Sequence, residues 1–291
     1  MKSTFAAILA VLLLNSMGEA QTLSVYFNFT GHGAVSGGSI VTDEIGNTTG
    51  TLSSVNTTLT ASGLSISTND HASANTGLTL SAGSLKSFTG DFTIQAWLKV
   101  SSLGDFNALY GGASGATGAH GGTGNNLLVA QLRGSKSNNA FGYVATDGEW
   151  GTTSEGTSTA PSVDTLYDLV ITYTTSTHSF TEYVNGVQTA KMSDNAFTSL
   201  ADVSNFSIGG IANSPWNDPT AVHTTTAFLI CTGALTDAQV ASLHALGAGA
   251  SLTNIATVVT VSKAPTPPPT PSPTPAAVVP GNARIPAMSP A

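Results

Sequence analysis

Residues 167–188 read YDLVITYTTSTHSFTEYVNGVQ, and they give the clearest local indication of structure. Residues 169–173 are rich in β-branched side chains, which pack well on a pleated strand. A second apolar run, residues 180–184, follows after the polar turn residues 174–179. Asn185-Gly186 then predicts a hairpin turn, because both residue types tolerate the positive φ of a type I′ turn. The segment therefore predicts consecutive antiparallel strands.

Two other segments, residues 23–29 and 92–98, alternate between apolar and more polar residues with the period of two that is typical of strands. Trp97 lies on the face opposite Phe92, and we expect it in the core. Many short strands joined by Gly, Ser and Asn turns indicate an all-β sandwich or jelly roll.

Residues 235–246 have a helical period instead. Leu235, Val240 and Leu243 fall on one face, Thr236 is the predicted N-cap, and Gly247 is the predicted stop. We therefore predict one short C-terminal helix that packs on the sandwich.

Several segments resemble, in the same order, motifs of laminin-G-like jelly rolls in the concanavalin A-like lectin/glucanase superfamily. They are VYFNF (25–29), VTDEIGNTTGTL (41–52), DFTIQAWLKV (91–100), residues 167–188, FSIGG (206–210) and AFLICTGALTDAQVASLHALG (227–247). The resemblance implies an all-β fold, a two-sheet antiparallel concanavalin A-like sandwich. It also implies an extracellular module that binds glycans or proteins. Residues 100–126 depart from the pattern as a Gly-rich insertion, which we expect to be irregular.

Three regions are predicted along the chain. Residues 1–20 have a basic start, an apolar run and small residues before position 21, as in a signal peptide. Residues 21–262 form the domain. Residues 263–291 are a disordered Pro/Thr/Ser-rich tail, because APTPPPTPSPTP (264–275) favours extended polyproline II over helix or sheet. The tail resembles hydroxyproline-rich stalks of plant and algal wall glycoproteins, and a plain linker is the alternative. We predict a secreted, extracellular protein.

The charge balance limits the partners. The formal net charge is −8 with only 8 Lys and Arg, which argues against nucleic acid and against an anionic membrane surface. No later segment is long and apolar enough to predict a membrane span. The single cysteine, Cys231, excludes an intrachain disulfide, and we expect it to be a buried thiol.

Sequons of the type Asn-x-Ser/Thr agree with export and predict N-glycosylation. Such sequons also arise by chance in a chain rich in Thr, Ser and Asn. The acceptors are Asn28, Asn47, Asn56 and Asn205.

Two tryptophans in polar surroundings are the candidate ligand contacts. Trp216, Asn217 and Asp218 follow a turn-forming Asn-Ser-Pro, and Trp150 is flanked by Glu149 and Gly151. An aromatic face stacks on a sugar ring, and amides and carboxylates bond its hydroxyls. The alternative is that each tryptophan only covers the core.

The resemblance implies calcium as the candidate cofactor, because some members of this family hold it at the edge of the sandwich. Asp43 and Asn47 offer hard oxygen ligands in the segment that resembles the opening motif. The alternative is that Asp43 caps a turn. The acidic residues that precede the closing strand in the family are replaced here by Thr226 and Ala227. The resemblance therefore does not imply that this protein depends on calcium.

Catalytic patterns are scarce. The closely spaced strand carboxylates of glucanases are missing, as are G-x-S-x-G and His residues at helical spacing. Asp147 and Glu149 are two positions apart but lie beside Gly148, which favours a loop. We therefore expect that the protein is not an enzyme.

The leading hypothesis is a secreted non-catalytic glycoprotein that binds carbohydrate or glycoproteins of the extracellular matrix or cell wall. The alternative is a self-associating structural component of a wall, sheath or fibre. A glycoside hydrolase of the same superfamily ranks third.

Overall fold

The computed structural model describes residues 21–67, 76–104, 106–113, 127–133, 140–145, 160–193, 197–203, 205–211 and 219–262. The predicted signal peptide (1–20) and tail (263–291) lie outside these residues, so both remain predictions. Within the described residues, no helix has the length and apolar character needed to cross a membrane.

The described chain is built mainly of short strands. In chain order they are β1 (Thr22–Asn28), β2 (Ile40–Thr42), β3 (Thr49–Leu52), β4 (Thr57–Thr60), β5 (Gly63–Ile66), β6 (Leu78–Leu80), β7 (Phe92–Val100), β8 (Asn107–Ala113), β9 (Leu127–Arg133), β10 (Ala140–Ala145), β11 (Leu166–Thr174), β12 (Ser179–Val184), β13 (Val187–Ser193), β14 (Ser207–Ile208), β15 (His223–Thr232) and β16 (Thr260–Val261).

The strands form two sheets. The front sheet has the order β13-β12-β11-β7-β15-β1-β16. In addition, β5 pairs with β15, and β4 pairs with β5. The back sheet has the order β10-β9-β8-β14-β6-β3-β2. Described neighbours pair antiparallel except β1 with β16. The predicted two-sheet antiparallel sandwich is therefore confirmed.

Apolar side chains from both sheets meet in the main core. At one end, Phe92, Tyr173, Phe180 and Phe197 pack ring against ring, with centroids between 4.5 and 6.2 Å apart. Because the chain has no disulfide, burial of these apolar side chains is the main contribution to the stability of the fold.

A second, smaller core lies on the outer face of the front sheet. It contains Trp97 and Cys231, as predicted, and burial raises the pKa of the Cys231 thiol to about 12. Tyr26 also lies here, and its hydroxyl donates to the Ala250 carbonyl at 2.6 Å. Both faces of β1 are therefore covered, which period-two alternation alone did not indicate.

Helix α1 (Asp237–Leu246) covers this second core, and the single turn α2 (Leu252–Ile255) follows. Thr236 caps α1 as predicted: its side chain accepts from the Gln239 amide, and the Gln239 side chain accepts in return. Gly247 ends the helix at φ 79. Short 3₁₀ turns occur at Thr175–Thr177 and Leu200–Asp202.

The predicted hairpin turn lies between β12 and β13, with Asn185 at φ 52 and Gly186 at φ 77.

The expectation of an irregular segment over residues 100–126 is wrong for β8, which forms inside it. Leu109 and Tyr110 of β8 are buried in the main core, and this burial outweighs the weak strand preference of the adjacent glycines.

Candidate functional site

A cleft of about 250 Å³ opens at the end of β6 and is the candidate binding site. We call it the Lys86 cleft. One wall is residues 80–86, and the other is formed by Ala201, Val203, Asn205 and Phe206. Because these residues come from separate parts of the chain, only the folded sheet brings them together.

The walls are held by backbone hydrogen bonds. The Leu80 amide donates to the Phe206 carbonyl at 2.9 Å, which fixes the β6 side against the β14 side. Successive turns then shape the 80–86 wall, as the amides of Ser84 and Lys86 donate to the carbonyls of Ser81 and Gly83 at 3.1 Å each. Gly83 has φ +86, a conformation that L side chains rarely adopt, so a glycine suits this position.

The floor and the rim of the cleft differ in chemistry. Leu80, Leu85, Val203 and Phe206 are buried and belong to the main core, so the floor is apolar. The rim carries hydroxyl, amide and ammonium groups.

These rim groups belong to Ser81, Ser84, Asn205 and Lys86. Lys86 is exposed, and within the described part of the chain it makes no ion pair. The cleft thus combines an apolar surface with donors and acceptors, as small-molecule sites do.

Sequence reasoning missed this cleft. Ser, Gly and Lys in a loop are typical of solvated turns, and Asn205 stands out in the sequence only as a sequon. The one available signal was Lys86 itself, since the chain has only 8 Lys and Arg.

The predicted ligand contacts Trp216, Asn217, Asp218 and Trp150 lie outside the described residues, so their role remains a prediction. Across the ranges that are described, every Trp, Tyr and Phe ring is buried or partly buried. A fully exposed stacking platform is therefore not found in that part of the molecule.

The candidate metal ligands Asp43 and Asn47 lie in the turn between β2 and β3. The Asp43 carboxylate is 4% exposed and accepts from the backbone amides of Tyr26, Asn47 and Thr48 at 3.1, 2.8 and 2.9 Å. This is the set of contacts of a turn cap. The Asn47 side chain donates to the Ser262 carbonyl at 2.7 Å.

Calcium at Asp43 and Asn47 remains a prediction. Among the described residues, no group of three or more His, Cys, Asp and Glu side chains lies together. At the position where family members carry acidic residues, the Thr226 hydroxyl donates to the Trp97 carbonyl at 3.2 Å.

A buried carboxylate, Asp168, anchors α1 to the front sheet. Its oxygens accept from Gln95 at 2.7 Å and contact His244 Nδ1 at 3.1 Å, and the His244 ring stacks on Trp97 at 5.3 Å. Burial raises the pKa of Asp168 to about 6, against the lowering effect of Gln95 and His244. Asp168 and His244 are 76 residues apart, so no local motif signals the pair.

Glu182 is a second buried carboxylate, but it faces the other way. It pairs with Ile171 across β11 and β12, so it points toward the main core, whereas Asp168 points toward the second core. One Glu182 oxygen accepts from Thr189 at 2.7 Å, and the other has no partner. Burial raises the pKa of Glu182 to about 7.

The four sequon acceptors occupy different environments. Asn28 Oδ1 accepts from the amide and hydroxyl of Thr30 at 3.1 and 2.7 Å, and Asn47 is bonded to Ser262. Asn56 is partly buried at φ 48. Asn205 is exposed, and of the four acceptors it is the one that lines the Lys86 cleft. Glycosylation of each remains a prediction.

Comparison with known proteins places the fold. A laminin-G model, described as the concanavalin A-like lectin/glucanases superfamily, matches residues 72–241. Among curated proteins, none matches the sequence.

Several solved structures are similar to this chain at low sequence identity. The sialidase of Trypanosoma rangeli has a TM-score of 0.52 at 15% identity, with 77% of this chain and 32% of that chain covered. The same enzyme in complex with sialic acid gives 0.52 at 15% identity, with 77% and 33% covered. Domain 4 of a GH43 extracellular arabinanase from Geobacillus stearothermophilus, in complex with arabinotriose, gives 0.48 at 16%, with 78% and 100% covered. This chain thus spans about a third of the sialidases' length.

These comparisons correct one expectation. The protein was expected not to be an enzyme, and that expectation is contradicted because the similar structures come from sialidases. The expectation rested on missing strand motifs, yet a fold brings distant carboxylates together without any local motif. Binding and glycoside hydrolysis both fit this fold.

Proposed function

Because this chain belongs to the concanavalin A-like lectin/glucanase superfamily, we propose that it binds carbohydrate and that the Lys86 cleft is its binding site. The observation that carries the proposal is the cleft itself, which sets hydroxyl, amide and ammonium groups above an apolar floor. A sugar has the matching surface, with hydroxyls around its ring edge and apolar C–H faces. The activity of the longer sialidases is not transferred, because this chain covers 32% of their length.

Each rim group has a role in this proposal. Ser84 and Asn205 both donate and accept, as sugar hydroxyls require. Lys86 donates only and carries a positive charge, so it favours a sugar with a carboxylate or sulfate over a neutral one. Leu85 and Val203 supply the apolar surface under the ring.

We further propose that the protein acts outside the cell, on extracellular glycans or on matrix or wall glycoproteins. The features of residues 1–20 and the four sequons support export. Trp216, Asn217, Asp218 and Trp150 are retained as a second set of sugar contacts.

Self-association is retained as an alternative way to form a wall or sheath. Ile40 on edge strand β2 is 70% exposed, and Val187 on edge strand β13 is 66% exposed. Exposed apolar side chains on strand edges favour pairing with another chain. Sedimentation across a range of concentrations tests this alternative.

A glycan array probed with the full chain produced without N-glycans, followed by calorimetry on the best oligosaccharide, tests the binding proposal. We expect Lys86→Ala to weaken binding by about tenfold or more, because a hydrogen bond to a charged group contributes about 1.5–3 kcal/mol. The matched control is Lys191→Ala, an exposed lysine on edge strand β13. Equal affinities for both variants, or no glycan bound at all, would contradict the proposal.

Glycoside hydrolysis is the second candidate function, favoured by the similarity to sialidase structures. Hydrolases of this kind place two carboxyl groups on either side of the scissile bond. Asp168 and Glu182 have the raised pKa values typical of functional sites, but they face opposite sides of the front sheet and do not form such a pair. The candidate pair kept from the sequence is Asp147 and Glu149, which are two positions apart and lie outside the described residues.

Release of reducing sugar from a panel of polysaccharides tests hydrolysis. Loss of release in Glu149→Gln would support this pair, with Glu44→Gln, an exposed glutamate in the turn between β2 and β3, as the control. Release that survives Glu149→Gln would exclude Glu149 as a catalytic residue.

A further inference from the structure

We propose that an N-glycan on Asn205 gates the Lys86 cleft, so that the glycosylated chain excludes external sugars which the unmodified chain binds. This inference rests on the proposed function of the cleft. It adds a modification that controls the site, which neither the family nor the fold implies.

The position of Asn205 is the first observation. Its side chain is exposed and lines the cleft opposite the Lys86 wall. The next two residues turn inward, since Phe206 is 2% exposed and Ser207 is fully buried in β14. A glycan on Asn205 therefore starts at the cleft wall and not on an open surface.

Attachment makes that glycan a strong competitor. A tethered group has an effective concentration in the millimolar range when its linker is short. Its first sugar carries the same hydroxyls and apolar ring face that the rim and floor would accept from an external ligand. A tethered sugar therefore competes even when its intrinsic affinity is weak.

The sequon also indicates when the modification must occur. The Ser207 hydroxyl, which completes the sequon, is buried and lies 2.9 Å from the Thr79 hydroxyl across the β14–β6 pair. In the folded chain this hydroxyl is not accessible to an enzyme. Asn205 is therefore modified before the back sheet closes, and each molecule leaves the cell with its cleft either blocked or open.

The other sequons provide controls, because Asn28, Asn47 and Asn56 do not line the cleft. Asn28 is the best of them. Its side-chain oxygen accepts from Thr30 within its own sequon, so its contacts are local and do not reach the cleft. Asn28→Gln therefore removes a glycan and leaves the cleft unchanged.

The experiment uses the full chain secreted from a eukaryotic host, with occupancy of each sequon measured by glycopeptide mass spectrometry. Asn205→Gln and Ser207→Ala each abolish the Asn205 glycan, and Ser207→Ala keeps the native amide in the cleft. Thermal melting verifies that Ser207→Ala remains folded without its contact to Thr79.

We expect Ser207→Ala to bind the array-selected oligosaccharide about tenfold more tightly than the glycosylated chain, whereas Asn28→Gln does not change the affinity. Asn205→Gln removes the same glycan but also displaces a proposed rim contact, so the affinity comparison rests on Ser207→Ala. An unoccupied Asn205, or equal binding by all glycoforms, would overturn the gating inference and leave the proposed function standing. Absence of sugar binding in every form, including Ser207→Ala, would overturn both.

Discussion

Replacing Glu182 with glutamine should change how the stability of the domain depends on pH. Glu182 is fully buried, and one of its oxygens has no hydrogen-bond partner. Burial raises its pKa from 4.5 to about 7, with a smaller opposing effect from the Thr189 hydroxyl. Below about pH 4.5 the Glu182 side chain is neutral in both the folded and unfolded states, so its ionisation does not lower the free energy of unfolding there.

As the pH rises through 7, the folded chain must ionise a carboxyl group that the unfolded chain ionises near 4.5. The stability present at acid pH is therefore lost between these values. The loss is about 3 kcal/mol, because each pKa unit corresponds to about 1.4 kcal/mol. A glutamine side chain never ionises, so Glu182→Gln should match the parent at about pH 4.5 and exceed it by about 3 kcal/mol at about pH 8.

Urea unfolding of both proteins at several pH values measures this difference. Other groups also titrate: burial lowers the pKa of His223 to about 4 and raises that of Asp168 to about 6. Their contributions are the same in both proteins and cancel in the comparison. The control Glu44→Gln replaces an exposed glutamate and should show no such trend. A stability gap between Glu182→Gln and the parent that stays constant across this pH range would refute the reasoning.

Three other substitutions test the remaining contacts. His244→Ala should lower the free energy of unfolding by about 1–3 kcal/mol, and by more at about pH 8 than at about pH 5. The loss is larger at about pH 8 because the buried Asp168 is charged there and has lost its partner. An equal loss at both pH values in urea unfolding would argue against the pair. Thr236→Ala should cost about 1 kcal/mol by removing the cap of α1, as measured by thermal melting against the exposed Thr253→Ala. Asp43→Ala should destabilise the domain by several kcal/mol, since it leaves three backbone amides without their acceptor, and melting with and without calcium shows whether the ion also binds there.

The sandwich was predictable because its signals are local. The alternation of residue types in 92–98 predicts a strand from neighbouring residues alone. The Asn185-Gly186 pair likewise predicts a turn from neighbouring residues alone. Tyr26 shows where that reasoning ends: its burial depends on Ala250, which is 224 residues away and reaches Tyr26 only in the folded chain. Strand β8 shows the same limit, because glycines conceal a strand that the main core stabilises.

The candidate site was much less predictable. Lys86 and Asn205 line one cleft only because β6 pairs with β14, and a β14 of 2 residues gives almost no strand signal of its own. Asp168 and Glu182 look alike in sequence, yet they lie on opposite faces of one sheet. Aromatic content pointed instead to Trp150 and Trp216, because polar loops with tryptophan are the pattern that sequence alone associates with sugar binding.

Amide hydrogen exchange on the full chain without N-glycans, with and without the oligosaccharide selected by the array, tests the central claim most directly. Carbohydrate binding in the Lys86 cleft predicts slower exchange in peptides that contain residues 80–86 and 205–206, and no change across β13. Protection confined to peptides around Trp150 or Trp216, with residues 80–86 unchanged, would contradict the assignment of the cleft.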